Sequence, residues 1–116
     1  MRRVLIIDDE KSICKLLSRA LSNRGIETDV AENGQEGLEK YHQEYFDIVV
    51  TDVRMPGIDG NSVAHQIRNS NRPKTPIIGI TGTSWLADNG EFDLVFEKPM
   101  SIHSFVDTII NIPPAL

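Results

Sequence analysis

The chain has 116 residues, of which 40% are hydrophobic and 25% charged; this suits one globular domain over 1–116 and excludes both a disordered chain and a second core of comparable stability. Seventeen acidic residues against twelve basic ones leave a formal charge of -5, which argues against direct binding of nucleic acid or another polyanion. No apolar run approaches the about 20 residues of a membrane-spanning helix, so no membrane partner is expected either.

The first element is a strand, Val4 to Ile7. With Arg2 and Arg3 before it the segment begins as an export signal would, but the run is too short and ends in Asp8-Asp9-Glu10, so the expected location is the cytoplasm. Ile13, Leu16, Leu17, Ala20 and Leu21 then recur at helical spacing, and Gly25 stops that helix. Cys14, the single cysteine, sits beside this apolar stripe; it can form no internal disulfide, fits a reducing compartment, and reads as packing. Ile26 to Ala31 alternates apolar and polar residues as a half-exposed strand does, and Asn33 with Glu36 offers a capping pair for a helix through Leu38 and Tyr41. Phe46 to Thr51 is the third strand. A turn containing Pro56, Gly57 and Gly60, where the glycines serve backbone geometry, leads to a short helix carrying Val63 and Ile67. Pro73 to Pro76 breaks the chain before strand Ile77 to Ile80. A shortened fourth helix is expected from about Ser84, capped by Asn89-Gly90, with Trp85 in that stretch serving packing or an interface. Strand Leu94 to Glu97 follows, and Ile102, Phe105, Val106, Ile109 and Ile110 repeat the helical spacing until Pro113-Pro114.

Strands followed by helices with short connections imply a parallel sheet with helices on both faces. The first, third and fourth strands are continuously apolar, as central parallel strands are, whereas the second alternates and the fifth is short. With those two outside, the expected architecture is the flavodoxin-like doubly wound α/β fold with strand order 2-1-3-4-5, whose ligands bind at the carboxyl ends of the strands.

Asp8-Asp9, Asp52, Thr81 and Lys98-Pro99 stand at the ends of strands one, three, four and five, so all converge on that edge. Two carboxylates about 4 Å apart interact by roughly 4 kcal/mol at an effective dielectric of about 20, so a cation must neutralise the group. Lys98 is one candidate; a hard divalent ion, Mg²⁺ above all, is the other. Such a pocket suits a phosphoryl group: Asp52 as nucleophile forming an acyl phosphate, Mg²⁺ and Lys98 against the equatorial oxygens, and Thr81 hydrogen-bonded to one of them.

The motifs Ile7-Asp8-Asp9-Glu10, Thr51-Asp52-Val53-Arg54-Met55-Pro56-Gly57-Ile58-Asp59-Gly60, Thr81-Gly82 and Lys98-Pro99 together resemble the receiver domain of bacterial two-component response regulators, over nearly the whole chain and in order. The resemblance implies that Asp52 is the phosphoacceptor, Asp8 and Asp9 the metal-binding acids, Lys98 the phosphate-binding lysine after a cis bond to Pro99, and Thr81 the switch hydroxyl, with the carbonyl of Arg54 completing the metal shell. It also implies a phosphorylation-operated switch, not a turnover enzyme, that meets a histidine kinase or phosphotransfer protein and then an output domain or effector, and it allows a homodimer formed on phosphorylation. One position departs: receivers commonly carry an aromatic residue three before the lysine, and here that place holds Val95, with Phe96 beside it. The expected readout therefore runs from Thr81 through residues 83–91 and not through rotation of a ring at position 95.

Plainer roles stand beside these. Asp9 or Ser12 could cap the first helix, Lys98 could be a surface lysine, Thr81-Gly82 a strand terminator, and His42, His65 and His103 surface residues. Two other functions share the fold or the chemistry. A haloacid-dehalogenase-like phosphatase uses Asp, Mg²⁺, Ser/Thr and Lys, but wants a second acid two residues after the nucleophile, where this chain has Arg54. A flavodoxin-type FMN module wants a phosphate loop where this chain has Asp8-Asp9-Glu10.

Overall fold

The computed structural model of the chain describes residues 2–82 and 91–113. Among the described residues, nine elements follow in order: β1 (Arg3–Ile7), α1 (Lys11–Ser22), β2 (Glu27–Ala31), α2 (Gly34–Gln43), β3 (Ile48–Asp52), α3 (Gly60–Arg68), β4 (Ile77–Thr81), β5 (Leu94–Glu97) and α4 (Ile102–Asn111). The five strands form one parallel sheet in the order β2-β1-β3-β4-β5, as the run types implied. Every residue of β3 and β4 is buried, whereas β2 and β5 keep exposed positions as sheet edges do.

Because side chains alternate across a strand, the apolar strands feed two cores. Val4, Ile6, Val50, Ile78 and Ile80 pack against Leu17 and Leu21 of α1 and Phe105, Val106 and Ile109 of α4. Leu5, Ile7, Val49 and Ile77 pack on the other face against Leu38 and Tyr41 of α2 and Val63, Ala64 and Ile67 of α3. Cys14 lies in the first of these cores, and burial pushes its thiol up to about 11, in keeping with a packing role.

The ends of elements follow local chemistry. Asn33 Oδ1 accepts from the Glu36 N–H at 2.8 Å while Glu36 Oε1 accepts from the Glu32 N–H at 2.8 Å, so the expected capping pair forms, displaced by one residue at its second bond. Neither Asp9 nor Ser12 caps α1: its N-cap is Glu10, which makes no side-chain cap bond, and Ser12 lies inside the first turn. The carboxyl that serves this turn is Asp8, whose Oδ1 accepts from the Glu10 N–H at 2.9 Å. After α1 the chain turns at Gly25, with φ of +78°. The shortened fourth helix, its Asn89-Gly90 cap, Trp85 and Pro114 lie outside the described residues. Among the described residues, no helix is long and apolar enough to cross a membrane.

Candidate functional site

The parallel register brings the strand ends level. Ile7 pairs with Thr51, Asp52 with Ile80, and Thr81 with Glu97, so Asp8, Asp52, Thr81 and Lys98 share one edge. The Lys98 N–H donates to the Thr81 carbonyl at 2.9 Å, and the Lys98–Pro99 bond is cis, as the resemblance implied. The loop after β3 turns at Gly57, with φ of +77°, and then passes so close beneath the site that a Cβ on Gly60 would stand 2.3 Å from the Asp52 carbonyl oxygen. Gly60 therefore admits no side chain, and Asp59 caps α3 by accepting from the Ser62 N–H at 2.9 Å.

Asp8, Asp52 and Thr81 are 2%, 6% and 1% exposed. Carboxylate oxygens of Asp8, Glu10 and Asp52 all lie within 4.8 Å of one another. Facing them, Lys98 Nζ stands 3.4 Å from Glu10 Oε1, 3.7 Å from Asp52 Oδ2 and 3.8 Å from Asp8 Oδ2. Three carboxylates and one ammonium leave an excess of negative charge, and each like pair about 5 Å apart repels by roughly 3 kcal/mol at an effective dielectric of about 20. The pKa values of the group shift accordingly. Burial, helped by the charge of Asp52 and opposed by the Glu10 N–H bond and Lys98, pushes Asp8 up to about 6. Burial likewise raises Asp52, against the pull of Lys98 and of the Arg54 and Val53 N–H groups. For Lys98, burial alone would lower the pKa, but Asp52, Asp8 and Glu10 outweigh it and hold the ammonium protonated.

The arrangement fits a hard divalent cation. Its donors are carboxylate oxygens, and Asp8 Oδ2 is buried without a hydrogen-bond partner. Of the acids expected to hold such an ion, Asp8 and Asp52 come together. Asp9 is exposed and stands outside the close group, although its charge reaches Asp52; the Arg54 side chain is exposed. Glu10 was not expected in this group. It lies in the same acidic run, but only the turn from β1 into α1 decides which of two adjacent acids swings over the sheet edge. The three histidines are exposed, and His65 and His103 face Glu91 and Asp107.

Around the position that departs from the receiver pattern, Val95 packs into the α2/α3 core, while the Phe96 ring meets Phe105 on the opposite face edge to face, with centroids 5.9 Å apart. Phe96 therefore does not stand in for the missing ring. On Val95's own face, Phe92 lies over Gly79, the register partner of Val95, where a Cβ would meet the ring at 3.1 Å.

This fold and this edge define a receiver. The family model described as the response regulator receiver domain matches residues 4–105, and the chain belongs to that family. Among curated relatives, it is 42% identical over 86 residues to a probable transcriptional regulator, ycf27, of Guillardia theta, covering 74% of this chain and 33% of that protein. It is 33% identical over 84 residues to the response regulator ArlR of Staphylococcus aureus, covering 72% of this chain and 37% of that one. The chain thus spans about a third of the length of these relatives. Among solved structures, the chemotaxis protein CheY4 of Vibrio cholerae superposes with a TM-score of 0.88 at 27% identity, covering 97% of this chain and 99% of that one. The response regulator TrrA of Thermotoga maritima, solved in complex with Mg²⁺ and BeF, superposes with a TM-score of 0.81 at 34% identity over 95% and 97% of the two chains. The phosphatase and FMN readings are not favoured beside this family match.

Proposed function

We propose that residues 1–116 work as one phosphorylation-operated switch, in which Asp52 accepts a phosphoryl group from a histidine kinase or phosphotransfer protein in the cytoplasm. The observation that carries this reading is the buried Asp52 carboxylate at the end of β3, with a lysine ammonium at 3.7 Å and two further acids within 4.8 Å. An Asp52 oxygen attacks phosphorus, the bond from phosphorus to the donor nitrogen or oxygen breaks, and the leaving group takes that electron pair. Lys98 balances charge on the phosphoryl oxygens, and the Thr81 hydroxyl donates to one of them. Asp8, Asp9, Asp52 and the carbonyl of Arg54 would hold Mg²⁺, which would supply the remaining positive charge. That TrrA was solved with Mg²⁺ and BeF supports this assignment. Beside Asp52, a hollow lined by Val53, Arg54, Met55, Pro56, Asp59 and Asn61 leaves room for the donor.

The chain offers no acid at position 54 to process external phosphoesters, so it passes its state on by contact with an output domain or effector, or with a second copy of itself, instead of turning over substrate. Incubation with Mg²⁺ and acetyl phosphate should add one phosphoryl group to the intact mass, and Asp52→Ala should abolish it. Equal labelling of the variant would overturn the assignment.

A further inference from the structure

Lys98 has three acidic neighbours, and the nearest to its Nζ is not the proposed phosphoacceptor. Glu10 Oε1 stands at 3.4 Å, Asp52 Oδ2 at 3.7 Å and Asp8 Oδ2 at 3.8 Å. Glu10 is held there by its backbone: its N–H donates to Asp8 Oδ1 at 2.9 Å and its carbonyl accepts the first helical bonds of α1, from Ile13 and Cys14. Its side chain is 57% exposed, so no packing holds it against Lys98. Lys98, its side chain a quarter exposed and faced by three carboxylates, divides its ammonium among them. A phosphoryl group arriving on Asp52 must draw that same ammonium.

From this geometry, and resting on the phosphoacceptor reading above, we infer that Glu10 is a positioning residue that holds Lys98 in the resting protein and competes with the phosphoryl group for it. Filling the site exchanges the Glu10–Lys98 ion pair for a contact between Lys98 and a phosphoryl oxygen. Glu10 thereby lowers the affinity of the site for phosphoryl and sets how strongly a donor must push to keep it filled.

Plain repulsion between Glu10 and the phosphoryl anion would have the same sign, and a double-mutant cycle separates the two. Beryllofluoride binding is measured by ¹⁹F NMR at saturating Mg²⁺ in the native chain, Glu10→Gln, Lys98→Met and the double variant. Glu10→Gln should bind roughly two- to fivefold more tightly than the native chain, and this gain should vanish in the Lys98→Met background. A gain that persists or grows without Lys98 means repulsion and overturns the inference, as does no gain in the native background. Side-chain NMR of Lys98 gives a second reading that needs no lysine variant. Its ε-methylene resonance should differ between native and Glu10→Gln proteins at rest and coincide once both are loaded; coincident resting spectra would refute the competition. Failure of the native chain itself to take beryllofluoride with Mg²⁺ is a separate result, which removes the phosphoacceptor reading and this inference with it.

Discussion

The two ends of β1 hold charge in opposite ways. At its start, Arg3 Nη2 meets Glu44 at 2.6 Å and Asp29 at 3.9 Å, its Nε meets Glu27 at 3.5 Å, and its N–H donates to Asp47 at 2.7 Å. Lys40 Nζ joins Asp29 at 2.9 Å and the Val30 carbonyl at 2.7 Å. Just past the other end of the strand, Asp8, Glu10 and Asp52 share the single ammonium of Lys98. The carboxylates respond in opposite directions. Burial would raise Asp29, yet its bond to Lys40, with the Val30 N–H and Arg3, brings it below the ordinary value, while Asp8 and Asp52 are held above it. The start of the strand is a half-exposed network in which each carboxylate has a cation or N–H partner of its own, and the far end is a more buried one in which three carboxylates share one ammonium. An edge left strained in this way has free energy to release to whatever cation enters it.

The largest effect that tests this contrast is at Asp8. Its folded pKa is raised, so the stability it contributes is present below the ordinary carboxylate range and is lost as the pH rises through about 6. In metal-free protein at pH 7, Asp8→Asn should therefore stabilise the fold, by up to about 3 kcal/mol, and the gain should shrink at pH 5, where Asp8 is protonated. Urea unfolding in chelator at both pH values measures it. With Mg²⁺ at a hundredfold excess over Kd the difference should nearly close, because the native chain gains about 2.7 kcal/mol and the variant much less. A variant less stable than the native chain at pH 7 without metal would show that the site is not strained.

Lys98 sharpens the comparison from the cation's side. Lys98→Met removes the ammonium that faces three carboxylates, so Mg²⁺ should bind more tightly, by up to about fivefold, the equivalent of an ion pair worth about 1 kcal/mol. The same variant should respond poorly to acetyl phosphate. Calorimetric Mg²⁺ titration reads the first outcome and intact mass the second. Loss of Mg²⁺ affinity would mean that Lys98 organises the acids instead of competing with the metal.

Much of this was legible in the residues. Strand order followed from which runs are apolar throughout and which alternate, since only a strand covered on both faces can dispense with polar positions. The site followed from strand ends alone: in a parallel sheet Asp8, Asp52, Thr81 and Lys98 reach one edge whatever the helices do. What stayed hidden depends on angles and on contacts between distant residues. Nothing in Asp8-Asp9-Glu10 says which of the last two acids swings toward Lys98, because the turn into α1 decides it. The helix cap at Asp9 or Ser12 failed for the same reason, since the turn makes Glu10 the N-cap and leaves Ser12 inside the first turn. The ring over Val95's face comes from Phe92 and needs the bare Cα of Gly79; a glycine inside an apolar strand was the available signal, and it marked a close approach without naming the partner.

The smallest effect belongs to the half-exposed end. Asp29 has a lowered pKa, so its contribution is present above the ordinary carboxylate range and is lost only as the pH falls through its folded value. Between pH 5 and 7, where Asp8 changes state, Asp29 does not. Asp29→Asn removes one partner from both Lys40 and Arg3, but Lys40 keeps the Val30 carbonyl and Arg3 keeps Glu44, and the network is partly exposed to solvent. The expected cost is about 0.5 kcal/mol, the same at pH 5 and pH 7. Raising ionic strength to about 1 M, where the screening length falls to about 3 Å, should erase most of it, while the effect of Asp8→Asn, whose carboxyl is buried, should largely survive. Urea midpoints for the two variants across the same salt series decide the matter: if Asp29→Asn proved as salt-resistant and pH-dependent as Asp8→Asn, the two ends of β1 would not differ in kind, and the strain assigned to the carboxyl edge would be a property of every carboxylate in the sheet.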